Sequence, residues 1–433
     1  MQEMNSPQIF HGEWWVPATE AYNTNVIRHN PNQMMGRRAK YTGTLTYHGD
    51  KDAILELYHY PSNFEATHYN INDVIWGKDA NGHIFTLFDV VIKDQPMEDL
   101  TNTQFSVSLI LVGEHVPSIK DTLFNRCEIR FPYLRNWAFQ KNIIKSYAGT
   151  HVFFKTLCGK SKLLESLNEN GAYWRLWQEQ SIKSNQYDLS ISQITFFEIE
   201  AIKTQSIESY LNQLEEFAQF LSIALYGDQS PTEVFFFNKD NKRKSVLLFN
   251  KDTSVNPGTS SLIKFGYLKD TLPTMLNNWQ SNYENISPIS NYLINSLQKK
   301  NKFEVPDFLI IAQALDGYYK RFVNKKDGKD HRKYEDGIKI LLQQFSDVEC
   351  IQRCHIDPIV LKDSRNKYSH LYPDDEESNA VAGEDLYWLT EKCKILLTCC
   401  ILNMIGLTNK EINICCKNSP IYDIIESGSF EIE

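Results

Sequence analysis

The feature that most constrains this chain is a change of hydrophobic period part-way along it. Up to about residue 203 the apolar residues come in short or alternating runs: Tyr41–Tyr47, Ala53–Tyr60, Ile84–Ile92, Phe105–Val112, Cys127–Phe131 and His151–Thr156. Alternation puts every second side chain on one face of a strand. His48-Gly49-Asp50 and Asp79-Ala80-Asn81-Gly82 break the runs. Asn-Gly between apolar runs is a strong hairpin signal, because both residues tolerate positive φ. The Ile- and Phe-rich segment Tyr187–Glu200 adds a further strand or two. Short strands at this spacing predict a sandwich- or barrel-like sheet.

Near residue 204 the period becomes helical. Ile207, Tyr210, Leu211, Leu214, Phe217, Ala218, Leu221 and Leu225 recur three and four apart, and Gly227 is placed to cap the helix they predict. Glu233–Phe237 and Val246–Phe249 return to a strand pattern around the polar loop Asn238–Lys244. Its cations, Lys239, Lys242, Arg243 and Lys244, read as a solvated tip. From about residue 268 the chain reads as helices: Leu268–Trp279, Ile289–Lys299, Asp307–Val323, Arg332–Phe345, Pro358–His370, Gly383–Ile405 and Asn409–Lys417. The expected fold class is therefore α+β, an N-terminal β-rich region followed by a C-terminal all-α helical bundle. The expected division is a β-rich sensor or regulatory domain over 1–203, a connecting helix and hairpin packed on it over 204–265, and a helical domain over 266–433.

Composition narrows the function classes. At 433 residues the chain has room for two or three domains, and its 54 aromatic residues can build large cores. A net charge of −9 argues against a general nucleic-acid coating protein. It leaves local RNA chemistry open, because a basic patch acts within a Debye length of about 8–10 Å. No run of eighteen apolar residues occurs, which predicts no membrane span, and the first ten residues lack the pattern of a signal peptide. Nine cysteines, an odd number, then read as reduced thiols in a cytoplasmic protein. Phosphate-binding loops, dinucleotide fingerprints, zinc-protease helices and nucleophile elbows are all missing from the sequence.

The sharpest constellation is Arg365-Asn366-Lys367-Tyr368-Ser369-His370, near the end of a predicted helix. Asn366 and His370 share a face. Arg365 and His370 lie about 140° apart on an ideal helix and converge only if it ends or distorts. Pro373 makes an end there. Metal-free phosphodiester cleavage needs this set of groups. An imidazole moves protons near neutral pH, a guanidinium neutralises growing phosphate charge, and an amide orients its partner. The same spacing also fits an ordinary surface helix.

Arg-Asn-x-x-x-His in a C-terminal helical segment resembles the catalytic motif of HEPN-domain ribonucleases. The wider chain resembles the ApeA family of bacterial antiphage abortive-infection proteins. The residues that carry this are Gly12-Glu13-Trp14-Trp15-Val16-Pro17 with Gly43-Thr44-Leu45, Ile75-Trp76-Gly77 with Gly82–Leu87, and Ala312-Gln313-Ala314-Leu315-Asp316-Gly317-Tyr318. The resemblance implies an endoribonuclease needing no metal or other cofactor. It implies a homodimer whose two motifs face one cleft, and products with 2′,3′-cyclic phosphate and 5′-hydroxyl ends. It assigns His370 as general acid or base, Arg365 as stabiliser of the transition state and Asn366 as a positioning group. Asp316, where the family more often carries Glu, would hold or tune His370 or Arg365. The expected partners are cellular RNA, with transfer RNA favoured for its exposed anticodon loop, and a phage-derived trigger at the N-terminal region. A HEPN module that binds RNA or protein without cutting is the alternative.

Three other features stand out. Lys320, Arg321, Lys325, Lys326, Lys329, Arg332 and Lys333 form a basic run beside the Asp316 helix. It suits RNA phosphates, and it equally suits a solvated helix end. Asp374–Glu377, four acids just after the motif, read as a loop or as an electrostatic gate against RNA. Seven cysteines follow residue 349. Cys350, Cys354 and His355 could furnish zinc ligands, but no Cys-x-x-Cys pair exists. Cys393, Cys399 and Cys400, in an apolar helix, read as small core residues. No metal is expected. Trp14-Trp15 reads as sheet core or a sheet-edge anchor in preference to a ligand platform.

Overall fold

A computed structural model of the chain describes residues 7–17, 40–48, 52–58, 74–94, 102–139, 143–148, 151–156, 159–168, 171–184, 189–240, 243–249, 261–298, 305–324, 333–373, 378–417 and 419–427. The fold is α+β, with β structure first and helices after it.

Strands β1 (Gln8–Trp15), β2 (Tyr41–Tyr47), β3 (Ala53–Tyr58), β4 (Ile75–Asp79), β5 (Ile84–Asp94) and β6 (Asn102–Val112) are all antiparallel to their neighbours. The sheet runs β6-β3-β2-β1-β4-β5, and β5 pairs back onto β6. The pairing closes a barrel, which leaves no free edges among these strands. Asn81-Gly82 makes the β4–β5 hairpin, with Gly82 at φ 87°. The barrel has its own core of Trp14, Leu45, Leu55, Phe85, Leu87, Val107 and neighbours. Gly77 is required there. A Cβ on it would lie 2.1 Å from the Trp14 ring, so only glycine lets strand β4 pass the buried indole. Trp14 is core, as expected, whereas Trp15 is half-buried on the outside beside His115.

Beyond the barrel the sheet continues from β6 through β14 (Arg243–Phe249), β13 (Glu233–Phe237), β7 (Leu123–Arg130), β12 (Leu189–Ser206), β11 (Ala172–Ser184) and β10 (Gly159–Leu167). A separate ribbon pairs β8 (Ile143–Ala148) with β9 (His151–Thr156). The long β10–β11 hairpin was not expected from the sequence. Its outward residues are a mixture of charges and aromatics, such as Lys160 over Trp177 at 4.3 Å, and these blur the alternation.

Onto the inner face of this sheet packs a helix, Ile207–Leu225. A four-residue helix, Leu134–Trp137, precedes it and is labelled α1, so Ile207–Leu225 is α2. Ser206 caps α2 by accepting the Ser209 N–H at 3.2 Å. At the other end the left-handed residue is Tyr226, and Gly227 closes the turn through its N–H to Ser222. Phe217 stacks on Phe197 of β12 at 3.6 Å.

The helical part comprises α3 (Phe265–Leu268), α4 (Leu272–Gln298), α5 (Val305–Tyr318), α6 (Tyr334–Gln344), α7 (Glu349–Cys354), α8 (Pro358–His370), α9 (Gly383–Met404), α10 (Asn409–Lys417) and α11 (Pro420–Ser427). The two helices expected over 268–299 are one continuous helix, α4, with Pro288 inside it. The flanking Trp279, Ile286 and Ile289 all bury on the same side, so packing overrides the break a proline favours. Trp279 of α4 donates to the Glu216 carbonyl of α2 at 3.0 Å. One core therefore runs from the second sheet through α2 into the bundle. At its centre the Lys394 ammonium lies 2.8 Å from Glu391 and 3.2 Å from Asp307, all three buried. Buried charges persist when paired in this way.

Candidate active site

The motif lies on α8. Asp357 caps this helix, accepting the Ile359 N–H at 2.7 Å, and Pro358 begins it. Leu361 and Ser364 are its buried side chains. Tyr368 packs edge-on against Phe308 of α5 and donates to the Val381 carbonyl at 3.0 Å. The helix is thereby clamped against α5 on one side and the segment before α9 on the other.

Arg365 is half-buried, with its guanidinium 4.9 Å above the Tyr334 ring of α6 and 3.5 Å from the Asn366 amide oxygen. Tyr334 is itself fastened, since its hydroxyl donates to the Ala312 carbonyl of α5 at 3.1 Å. Burial pushes the Tyr334 phenol well above its ordinary pKa, with the Cys393 thiol adding and Arg365 opposing. It stays a neutral platform under the cation. Asp316 of α5 lies near the same ring, and its carboxylate holds Lys320 at 2.7 Å. Asp316, Lys320, Lys333 and Tyr334 line a small surface pocket.

His370 is exposed at the last turn of α8. The helix stays regular through it, so the wide angle from Arg365 remains. Leu371 then takes a left-handed φ of 54°, unusual for a branched side chain, and is exposed. That turn brings the Tyr372 ring back over His370, 5.2 Å between centroids and 30° from parallel. Among the described residues, no hydrogen bond or ion pair joins His370 to Asp316, Arg365 or Asn366.

A family model of ApeA N-terminal domain 1 matches residues 9–279, and one of the Apea-like HEPN domain matches residues 309–411. The chain belongs to the ApeA family. The HEPN match contains Asp316 and the whole Arg365–His370 motif, and the two domains together mark an antiphage-defence HEPN protein. Comparison with curated proteins and with solved structures returns no match.

Within this HEPN domain the basic residues divide. Lys320 and Arg321 lie on a π-helical turn, Tyr319–Val323, that follows α5 directly. Such turns recur at functional sites. One Arg321 donor goes to the Asn285 carbonyl of α4 at 2.7 Å, and Lys333 sits on the pocket rim. Lys325, Lys326, Lys329 and Arg332 lie outside the described residues, as does the Asp374–Glu377 run. Among the described residues, no helix is long and apolar enough to cross a membrane.

The sequence reading missed two aromatic supports, Tyr334 and Tyr372. Tyr334 had no signal, because it approaches Arg365 only through folding. Tyr372 stands two residues from His370 and could have been flagged by that proximity. A third support is ionic. Lys362 lies 3.0 Å from Glu335 and 3.3 Å from Asp363, and Asn379 donates to Asp363 at 2.9 Å. The Asn379 hydrogen bond first, with Lys362 behind it and burial opposing, holds the Asp363 carboxyl below the usual range.

Proposed function

We propose that this protein is a metal-independent endoribonuclease that cleaves cellular RNA, transfer RNA first, and so halts growth on infection. The observation that carries the reading is the arrangement on α8. Arg365 is braced over Tyr334, and one helix end presents His370 to solvent. A braced cation and an accessible imidazole are the two groups that this chemistry requires. In the proposed step the RNA 2′-oxygen bonds to the adjacent phosphorus while the P–O5′ bond breaks. A base takes the 2′-proton and an acid returns a proton to O5′, leaving a 2′,3′-cyclic phosphate and a 5′-hydroxyl. His370 serves as base or acid, Arg365 balances the charge on the phosphoryl oxygens, and Asn366 and Asp316 position them. A homodimer would supply a second His370 for the other proton, which fits the distance between His370 and Arg365 around one helix. Lys320, Arg321 and Lys333, with the basic residues that follow Arg321 in sequence, would guide the RNA backbone, and a phage-derived trigger would act on the N-terminal region.

The test incubates purified protein with total RNA in EDTA, with or without extract from infected cells. Cyclic-phosphate ends are expected from the wild type. His370→Ala should lower the rate by about 10²–10⁴-fold, the usual worth of a positioned acid or base, and Arg365→Ala should lower it comparably. A wild type that binds RNA and never cuts it would establish the non-catalytic module instead.

A further inference from the structure

We propose that Cys350, Cys399 and Cys416 form a site for a thiophilic metal ion, Zn²⁺ or Cu⁺, bound by three sulfurs. The three residues come from α7, α9 and α10, and all are buried. Their sulfur atoms all lie within 4.8 Å of one another, and Cys350 Sγ is 3.9 Å from Cys399 Sγ. A metal–sulfur bond of about 2.3 Å sets sulfur atoms about 3.8–4.0 Å apart in tetrahedral or trigonal geometry. One edge of the triangle already has that length, and the others need to shorten by less than about 1 Å.

The donors decide the class of ion. Three thiols with no carboxylate or imidazole among them suit soft d¹⁰ cations and exclude calcium or magnesium. A small surface pocket reaches the cluster and is lined by Cys350, Cys416, Glu349, Arg353 and Lys417. It supplies an entry path to Cys350 and Cys416. Three thiolates around a divalent ion carry a net negative charge. Lys417 and Arg353 lie on the pocket wall, each already paired with an acid at 2.7 Å, Glu349 and Glu426 respectively.

Mere packing is the competing explanation, since a free thiol behaves as a small hydrophobe. Cys393 and Cys400 are buried in the same way on α9 without joining the cluster, and so provide the comparison. None of the three thiols lies on α8, so the site stands or falls independently of the nuclease. A melting-temperature control in the EDTA assay separates loss of this ion from loss of the nuclease.

The full chain, stripped of metal under reductant, is offered Zn²⁺ alone or Cu⁺ alone, and metal per chain is counted after gel filtration. One ion per chain is expected for the wild type and for Cys393→Ala. Cys350→Ser and Cys416→Ser, which face the pocket, should retain less than about one-tenth of that, in line with the cost of losing a ligand. Circular dichroism checks that the variants fold, and the ion should raise the melting temperature of the wild type and of Cys393→Ala but not of the two serine variants. The two arms identify the ion. A wild type that retains neither ion, or variants that retain as much as the wild type, overturns the site. So does recovery of Cys350 and Cys399 as a disulfide with no metal bound.

Discussion

The barrel and the region after it solve the same problem in different ways. Strands β1–β6 close on themselves and enclose a private core around Trp14 and Phe85. The second sheet stays open, and its inner face is covered by α2, which in turn packs on α4. Most of the barrel's buried residues form a cluster of their own, whereas Phe88 of β5, Leu109 and Leu111 of β6 and the buried residues of the second sheet belong to the core that runs into the bundle. The difference teaches where a signal can travel. A change in the barrel meets the larger core at β5 and β6, through Phe88, Leu109 and Leu111, while a change at the second sheet acts on α2 and, through the Trp279 contact, on α4.

Three substitutions break or sharpen this contrast. The largest effect is expected from Trp279→Ala, which empties a fully buried site between α4 and α2. It should cost about 3–5 kcal/mol. Hydrogen exchange should show protection lost together in β7, β12, α2 and α4 while β1–β6 stay protected. Loss in the barrel as well would merge the two units.

Gly77→Val makes the converse test. Its side chain collides with the buried Trp14 ring, and overpacking of this kind costs about 1–3 kcal/mol. The barrel peptides should exchange faster and the helical peptides should not.

The smallest effect concerns the brace on α8. The depressed Asp363 carboxyl contributes stability at pH values above its unfolded pKa of about 4. That contribution is lost as pH falls through its lower folded value. The melting-temperature difference between the wild type and Asp363→Asn should therefore be present at neutral pH and shrink below about pH 4. A difference independent of pH would remove the ionic brace from the argument.

Much of the fold was legible because local period carries it. β2, β9, α2, α8 and α10 run between the residues their patterns predict. The helical motif was legible for the same reason, since Arg365, Asn366 and His370 are close in sequence. Illegible were β1 and the β10–β11 hairpin, whose outward aromatic and charged residues mask the alternation, and the single α4, whose proline argues locally for a break. Glu349–Cys354 and Pro420–Ser427 are too short to show a period. Cys354 and His355, weighed as zinc ligands beside Cys350, do not join it. Cys399 and Cys416, 49 and 66 positions further on, do.

By itself, the sequence determined the order of strands and helices, the Asn81-Gly82 hairpin and the helix carrying the motif. Each of these follows from residues within a turn or two of one another. Only the tertiary structure decided that the first six strands close, that one core joins sheet to bundle, that Tyr334 braces Arg365 and that three thiols meet. Those outcomes depend on which distant segments pack together. Side-chain volume and pairing across the whole chain settle that choice, and no local period encodes it.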